Sequence, residues 1–243
     1  MYILALETTG KYGSAAVIDE KGTCYTASNH EAMNHLTDIL QLADACMRKA
    51  GKDKSHLTHV AASVGPGSFT GIRIGVSTAR AAGQVLGIPC ISVSSLEGLA
   101  VRAAAQTDEA DYICAVINAR RHQTYAGIWR VRDDGLSAVL PEKQYMIEEV
   151  LAETAKLDGM GYWIGDGIDA YESIIRDALP ESGYRLADAP GRYPNAEPVA
   201  KIALEKAKRG DTGEYGNLLP NYMRMSEAEM RLRNGTLSRK IHG

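Results

Sequence analysis

The chain has 243 residues, which is enough for one large domain or two small ones. Its 27 Lys and Arg residues against 30 Asp and Glu residues give a formal net charge of -3, so the chain as a whole is not a polycation that binds nucleic acid through counterion release. No stretch reaches the roughly 18 consecutive apolar residues that a membrane span needs, and the 4 cysteines include no C-x-x-C pair. We therefore expect a globular, cytoplasmic protein with reduced thiols.

The first third of the chain reads as strands followed by helices. Three apolar runs separated by polar turns predict a hairpin that leads into a third strand. These runs are residues 2–6, 14–18 and 23–27. From Asn34 the apolar residues recur at helical spacing, with Asn34 as the predicted cap and Gly51 as the predicted end. A buried strand at 60–64 then leads through a glycine-rich turn into a second helix, which ends at Leu86 before Gly87.

The rest of the chain repeats this order. A strand at 90–93 precedes a helix with Ser94 and Glu97 in capping-box spacing, and we place the domain boundary after Gln106. The following hairpin is offset by about 110 residues from the first, so a duplication is one hypothesis. The predicted strands are 112–117, 124–131 and 162–164, and the predicted helices are 147–156, 168–179 and 199–209 with Asn195 as the last cap. This alternation predicts an α/β fold of mixed sheets flanked by helices, in two similar lobes.

The glycine-rich turn is a candidate anion site. Gly65, Gly67 and Gly71 occupy a strand-to-helix junction, where backbone N–H groups and the helix dipole favour anions. No Lys follows at Walker A spacing, and Thr70 stands where the third glycine of G-x-G-x-x-G belongs. The turn is therefore either a phosphate cradle or a tight turn that brings strand and helix close together.

Small residues recur every four positions along the second helix, at Gly71, Gly75, Ala79, Gly83 and Gly87. This spacing makes a smooth ridge along which another backbone can approach closely. An interior glycine costs about 1 kcal/mol relative to Ala in a helix, so close packing has to offset that cost. The ridge packs either on the chain's own sheet or on a helix of another subunit.

A D-x-x-H-x-x-H string at Asp53, His56 and His59 resembles a two-histidine, one-carboxylate metal set in composition. Two lysines interrupt it, and it lies in a polar connection before a strand. A solvated loop is therefore the favoured interpretation over a metal site.

A family resemblance rests on four segments. Residues 65–75 (GPGSFTGIRIG) resemble the TsaB (YeaZ) family, and residues 3–9 (ILALETT), 118–121 (NARR) and 220–224 (PNYMR) agree with it. The sequence departs from the family pattern at Asn118, where the family usually has Asp, and in the tail beyond Arg231.

The resemblance implies an actin-like ATPase (ASKHA) fold and a role in making threonylcarbamoyladenosine in tRNA. It implies two related lobes, residues 1–106 and 107–230, with the helix at 196–210 as a candidate to pack back on the first lobe. Residues 231–243 are expected to form a flexible tail.

The resemblance also implies that the chain lacks the catalytic metal site. The catalytic relative in this pathway, TsaD, holds a metal through a His-Leu-Glu-Gly-His helix, and the matching residues 95–99 here are SLEGL. Ser95 is a poor metal ligand and Leu99 offers no ligand atom, so this site cannot be assembled. We therefore expect a non-catalytic subunit.

Such a subunit is expected to contribute a surface. The resemblance implies that the first two helices pack against a TsaD-type catalytic subunit, or against a second copy as a homodimer, with a TsaE-type ATPase as a further partner. The expected interface residues are Leu36, Ile39, Leu40, Ala43, Met47, Gly71, Ile72, Gly75, Val76, Ala79 and Gly83. The expected vestigial phosphate loops are Glu7, Thr8, Thr9, Gly65, Gly67, Ser68 and Thr70. No cofactor is expected for the isolated chain, with ATP and Mg²⁺ acting through partner subunits, tRNA bound only through the complex and no membrane contact.

Two alternative functions remain open. An active actin-like phosphotransferase or ATPase would use carboxylate-held Mg²⁺, for which Glu7 and Asp166 are the candidates. A metallopeptidase is the other alternative, against which the loss of both histidine positions counts. Four arginines of the second hairpin are a candidate basic strip for tRNA, with a solvated edge as the plainer interpretation. They are Arg120, Arg121, Arg130 and Arg132.

Overall fold

A computed structural model describes residues 1–29, 35–189 and 191–223. Its first half contains five strands and three helices. The strands are β1 (Tyr2–Glu7), β2 (Ser14–Asp19), β3 (Cys24–Ser28), β4 (His59–Ser63) and β5 (Cys90–Val93), and the helices are α1 (His35–Lys49), α2 (Phe69–Leu86) and α3 (Ser95–Ala104). The expected flexible tail, residues 231–243, lies outside the described residues.

The second half repeats this order of elements. Its strands are β6 (Tyr112–Asn118), β7 (Gln123–Arg132), β8 (Gly135–Met146), β9 (Gly161–Ile164) and β10 (Tyr184–Leu186), and its helices are α4 (Ile147–Thr154), α5 (Gly167–Ala178) and α6 (Ala196–Lys208). No helix in the described part of the chain is long and apolar enough to cross a bilayer.

The two sheets have the same topology. Their strand orders are β3-β2-β1-β4-β5 and β8-β7-β6-β9-β10, each with an antiparallel three-strand ladder and a parallel extension. In the first sheet Ala5 pairs with Ala16 on one side and with Ala61 on the other. Two mixed sheets flanked by helices form the predicted actin-like ATPase (ASKHA) fold.

A matching turn follows the fourth strand of each lobe. Gly65 has a φ of +112° and Gly165 a φ of +114°. Residues other than glycine rarely adopt this backbone conformation. A Cβ at Gly165 would overlap the carbonyl of Val116 in the neighbouring strand. The lobes therefore share a turn as well as a strand order, which supports the duplication hypothesis.

Helices α3 and α6 each pack on the sheet formed by the other half of the chain. Helices α1 and α2 cover one face of the first sheet, and the other face packs on α6 through Val199, Ala200 and Ala203. In the second lobe α4 and α5 cover one face, and the other face packs on α3 through Leu96 and Leu99. The last helix thus packs back on the first lobe, as anticipated.

Most helix ends lie where the sequence places them. Ser68 caps α2 and Ser94 caps α3 by accepting backbone hydrogen bonds, and Gly87 ends α2 in the left-handed conformation with a φ of 64°. Asn195 occupies the N-cap position of α6, as predicted, but its side chain makes no cap hydrogen bond. Ser14 in the first lobe accepts the Ala196 N–H at 2.9 Å instead. The predicted cap Asn34 lies outside the described residues.

Two strands were absent from the prediction. Strand β8 lies at a sheet edge, is largely exposed, and contains Pro141, Glu142 and Lys143, so its sequence lacks a buried strand's apolar pattern. Strand β10 has three residues, too few to show any period.

The small-residue ridge of α2 lies inside the molecule. Gly71, Gly75 and Gly83 are buried. A Cβ added at Gly71 would overlap the Thr8 carbonyl, and one at Gly75 would lie 2.5 Å from Thr8 Oγ1. A Cβ at Gly83 would lie 2.5 Å from Cys90 Sγ. The ridge therefore packs on the chain's own first lobe, and its assignment to a partner interface is wrong.

The other expected interface residues are also mainly interior. The first-lobe core contains Ile39, Ala43, Met47, Ile72, Val76 and Ala79. Their expected place in a partner interface is wrong, because helical periodicity turns the apolar stripe toward the sheet. Leu40 is 67% exposed and points outward. Helix α1 includes Leu36, whose side chain lies outside the described part of the structure.

We expect Gly75→Leu to lower the free energy of unfolding by about 1–3 kcal/mol through overpacking. The new side chain would displace Thr8, whose hydroxyl donates to the Gly71 carbonyl at 2.6 Å. Urea denaturation of the variant measures the change, with Ala81→Leu on the exposed face of the same helix as control. Equal stability of both variants would contradict this packing.

Candidate functional site

The loop after β1 begins with a buried carboxyl group. Glu7 is 1% exposed, and its Oε1 accepts hydrogen bonds from Thr9 N at 2.5 Å and Thr9 Oγ1 at 2.6 Å. Burial raises the pKa of Glu7 because it penalises the charged form, and hydrogen bonds from Thr9 and Ser63 partly oppose that effect. The loop after β1 is therefore folded around the carboxyl group of Glu7.

Three hydroxyl groups extend this cluster to two other elements. Ser95 Oγ, at the start of α3, lies 3.0 Å from Thr9 Oγ1 and 2.9 Å from Ser63 Oγ at the end of β4. In both contacts of Ser95 either hydroxyl can be the donor. We call Glu7, Thr9, Ser63 and Ser95 the buried polar cluster.

Ser95 and Leu99, the two residues expected at lost metal-ligand positions, lie in different surroundings. Ser95 is 1% exposed and belongs to the buried polar cluster, whereas Leu99 is fully buried in the apolar contact between α3 and the second sheet. Across the described residues, no group of three His, Cys, Asp or Glu side chains is placed to hold a metal ion. These two positions supply one hydroxyl and one aliphatic side chain.

The glycine-rich turn lies against the first loop. Ser68 N donates to Thr9 O at 2.8 Å, and Gly71 N donates to Ser68 Oγ at 3.2 Å. A Cβ at Gly67 would lie 2.6 Å from Thr9 O. These N–H groups are directed into the protein, so the geometry supports the tight-turn interpretation over a phosphate cradle.

The expected phosphate-loop residues are brought together with one exception. Thr9 contacts Gly67 and Ser68 in the turn, Thr8 contacts the start of α2 at Gly71, and Glu7 accepts from Thr9. Gly65 O accepts the Ser95 N–H at 3.0 Å. Thr70 is exposed instead and lines a groove on the outer side of α2.

The second lobe has a separate carboxylate site. Asp166 Oδ1 accepts the Asn118 N–H at 3.0 Å, and Asn118 Oδ1 accepts the Arg120 N–H at 2.8 Å. Burial raises the pKa of Asp166, and the neighbouring Asp169 acts in the same direction. Asn118, at the position where the family usually has Asp, thus shapes the β6–β7 turn.

An aromatic contact joins the first hairpin to the segment before α6. The Tyr12 and Tyr193 rings lie 5.5 Å apart edge to face, with Lys11 Nζ 5.3 Å from each centroid. Tyr193 donates to Asp169 Oδ2 at 2.8 Å in the second lobe. The tip of the first hairpin is therefore tied across to the second lobe.

The other candidate motifs form no common site. Asp53 accepts from Ser55 and contacts His56 Nδ1 at 3.1 Å, so it caps an exposed turn, and the Ser55 hydrogen bonds lower its pKa to about 2. Arg120 and Arg130 lie near opposite ends of the ten-residue strand β7. At about 3.4 Å per residue these ends are roughly 30 Å apart, so the four arginines do not form one strip.

Sequence reasoning missed Ser63 in the buried cluster, although a serine ending a buried strand beside a glycine turn was an available signal. It also missed the surface along α2. Depressions of about 550 and 370 Å³ lie on either end of this helix, one lined by Gln84 and Tyr215 and the other by Phe69 and Arg73. Neither touches the buried polar cluster.

We expect Glu7→Gln to stabilise the chain increasingly as pH rises above the ordinary Glu pKa of 4.5. Between that value and the raised pKa the folded chain holds more protons than the unfolded chain, so the wild type loses stability with rising pH. Glutamine keeps the acceptor for Thr9 and carries no charge. Urea denaturation from pH 4 to pH 8 tests this, with the exposed Glu109→Gln as control, and parallel profiles for Glu7→Gln and wild type would contradict it.

The sequence was compared with protein-family models and with curated proteins. The family model "TsaD: tRNA N6-adenosine threonylcarbamoyltransferase" matches residues 29–186, more than half of the chain. The tRNA threonylcarbamoyladenosine biosynthesis protein TsaB of Bacillus subtilis (strain 168) is 27% identical over 229 residues, covering 94% of this chain and 96% of that protein. The TsaB protein of Escherichia coli (strain K12) is 27% identical over 233 residues, covering 96% and 98%.

A solved structure gives the same answer. YeaZ from Pseudomonas aeruginosa superposes with a TM-score of 0.79 at 25% identity, covering 91% of this chain and 99% of that one. Together with the family motifs in the glycine-rich turn, these matches show that the chain belongs to the TsaB (YeaZ) family.

Proposed function

We propose that, within tRNA threonylcarbamoyladenosine biosynthesis, this chain is a non-catalytic scaffold and dimerisation subunit. It docks and supports a TsaD-type catalytic subunit, together with a TsaE-type ATPase. The observation that carries the proposal is the burial of Ser95 and Leu99 at the two positions where the catalytic relative has histidines.

The buried polar cluster supports a structural role for the first loop. A phosphotransferase needs a carboxylate that reaches Mg²⁺ and loops whose N–H groups reach phosphate. Glu7 is 1% exposed and accepts from Thr9, while Ser68 N donates inward to Thr9 O. The carboxylate and the N–H group that such an enzyme would direct at a nucleotide make hydrogen bonds within the protein instead.

The outward sides of α1 and α2 supply the docking surface. Leu40 is 67% exposed, Phe69 50% and Val85 82%, although the inner sides of both helices lie in the core. We call these three residues and the helix surface between them the outer helix face. Large apolar side chains exposed on two neighbouring helices are typical of an interaction surface. A stable complex would bury about 1,200–2,000 Å² in total.

The remaining roles follow from this assignment. The isolated chain forms a homodimer through the outer helix face until the catalytic subunit replaces the second copy. It has no cofactor of its own, since ATP and Mg²⁺ act through the partner subunits. It reaches tRNA only within the complex, in the cytoplasm.

Reconstitution with purified partner subunits tests the function. We expect tRNA modification when the TsaD-type and TsaE-type subunits are combined with this chain, and at least tenfold less product without it. Mass spectrometry of the modified nucleoside is the readout. Formation of the nucleoside by this chain with ATP, Mg²⁺ and tRNA but no partner would contradict a non-catalytic role.

The outer helix face has its own test. We expect Val85→Asp and Leu40→Asp each to weaken association with the TsaD-type subunit at least about tenfold, because an unpaired carboxylate would be buried in the interface. Val139→Asp, at an exposed valine of strand β8 in the second lobe, is the matched control and should leave association unchanged. Titration calorimetry gives the dissociation constants. Equal affinities for all three variants would place the interface elsewhere.

A further inference from the structure

An arginine at the start of α2 lies beside a pair of aromatic rings that contact each other. Arg73 Cζ lies 4.0 Å from the Phe69 ring centroid and 5.9 Å from that of Tyr222, and the two rings are 4.9 Å apart. Arg73 Nε donates to the Tyr222 hydroxyl at 2.9 Å. Tyr222 comes from the segment after α6, so two distant parts of the chain build one feature. We call these three residues the aromatic–arginine cluster.

The cluster lies at the surface and borders a groove. Phe69 is 50% exposed and Tyr222 40%, and Arg73 is exposed as well. The groove has a volume of about 370 Å³. Its lining residues are Phe69, Thr70, Arg73, Ile74, Ser77 and Thr78. Aromatic residues and arginine contribute much of the binding energy at protein interfaces, above all where they lie beside a pocket.

Within the described residues, the Arg73 guanidinium is hydrogen-bonded through Nε, and its two terminal nitrogens are not. Nε is used by Tyr222, while no carboxylate within residues 1–29, 35–189 and 191–223 pairs with the two terminal nitrogens. Helix α2 carries Arg73 and Arg80 and no acidic residue over its 18 positions. The charge of this helix therefore favours an acidic partner.

We infer that Arg73 is the charged anchor of the outer helix face and binds a carboxylate on a helix of the TsaD-type catalytic subunit. A neighbouring aliphatic side chain of that helix fills the groove beside it. This inference rests on the proposed docking function and names the chemistry of its contact. The contact with the Phe69 ring and the hydrogen bond to Tyr222 restrict the planar fork before binding, so less side-chain entropy remains to be lost.

Charge also favours the catalytic subunit over a second copy of the chain on this face. A twofold contact through α2 would bring the same helix of each copy together. Arg73 and Arg80 would then face like charges, which makes the homodimer weaker than a complex with an acidic helix. An acidic helix satisfies both the guanidinium and the apolar groove.

The test compares two arginines of one helix. We expect Arg73→Gln to weaken binding of the TsaD-type subunit at least about 30-fold, the loss typical when one member of an interfacial charge pair is removed. Arg80→Gln, at a half-exposed arginine outside the cluster, should change binding less than about threefold. Arg73→Lys keeps the charge without the bidentate fork and should give an intermediate loss. Tyr222→Phe keeps the ring, removes the hydroxyl and should also be intermediate.

Salt dependence gives a second readout that a purely structural role would not alter. Wild-type affinity should fall between 50 and 500 mM NaCl, and the slope should be smaller for Arg73→Gln. Circular dichroism establishes that each variant is folded. Wild-type affinity for Arg73→Gln alongside weakened binding by Val85→Asp would overturn this inference and leave the docking function standing. Loss of self-association by Arg73→Gln with unchanged partner binding would overturn it too, whereas failure of the wild type to bind would refute the docking function itself.

Discussion

The start of α2 lies closer to the loop after β1 than a side chain would permit. A Cβ at Gly67 would lie 2.6 Å from Thr9 O, and one at Gly75 would lie 2.5 Å from Thr8 Oγ1. This backbone approach fixes Thr9 where its hydroxyl reaches the Ser95 hydroxyl at 3.0 Å. The closed polar cluster on the inner side of the helix, and the direction in which its outer side points, both depend on that contact.

The closed cluster shows how polar side chains at the carboxyl end of the first sheet are held inside the fold. Glu7, Thr9, Ser63 and Ser95 satisfy one another, so the polar groups at the carboxyl end of the sheet remain buried at low cost. A cation or a phosphate would have to break these hydrogen bonds to enter.

Local sequence pattern predicted most of the fold, because strand and helix periods are visible in strands such as β1 and β6 and in helices such as α2. It could not predict the role of the ridge through Gly71 and Gly75, since the spacing is the same whether the helix meets its own sheet or another subunit. The side chain that accepts the first N–H of α6 was missed because Ser14 lies 182 positions from Ala196. The aromatic–arginine cluster was missed for the same reason, because its hydrogen bond joins residues 149 positions apart.

The exchange of α3 and α6 makes the halves of the chain interdependent. A fragment ending at residue 106 would carry α3 without the sheet that covers Leu96 and Leu99, and its own sheet would lack α6. The complementary fragment would have the converse defect. Each piece would present a wide apolar surface to water, so the lobes are a single cooperative unit despite their separate sheets.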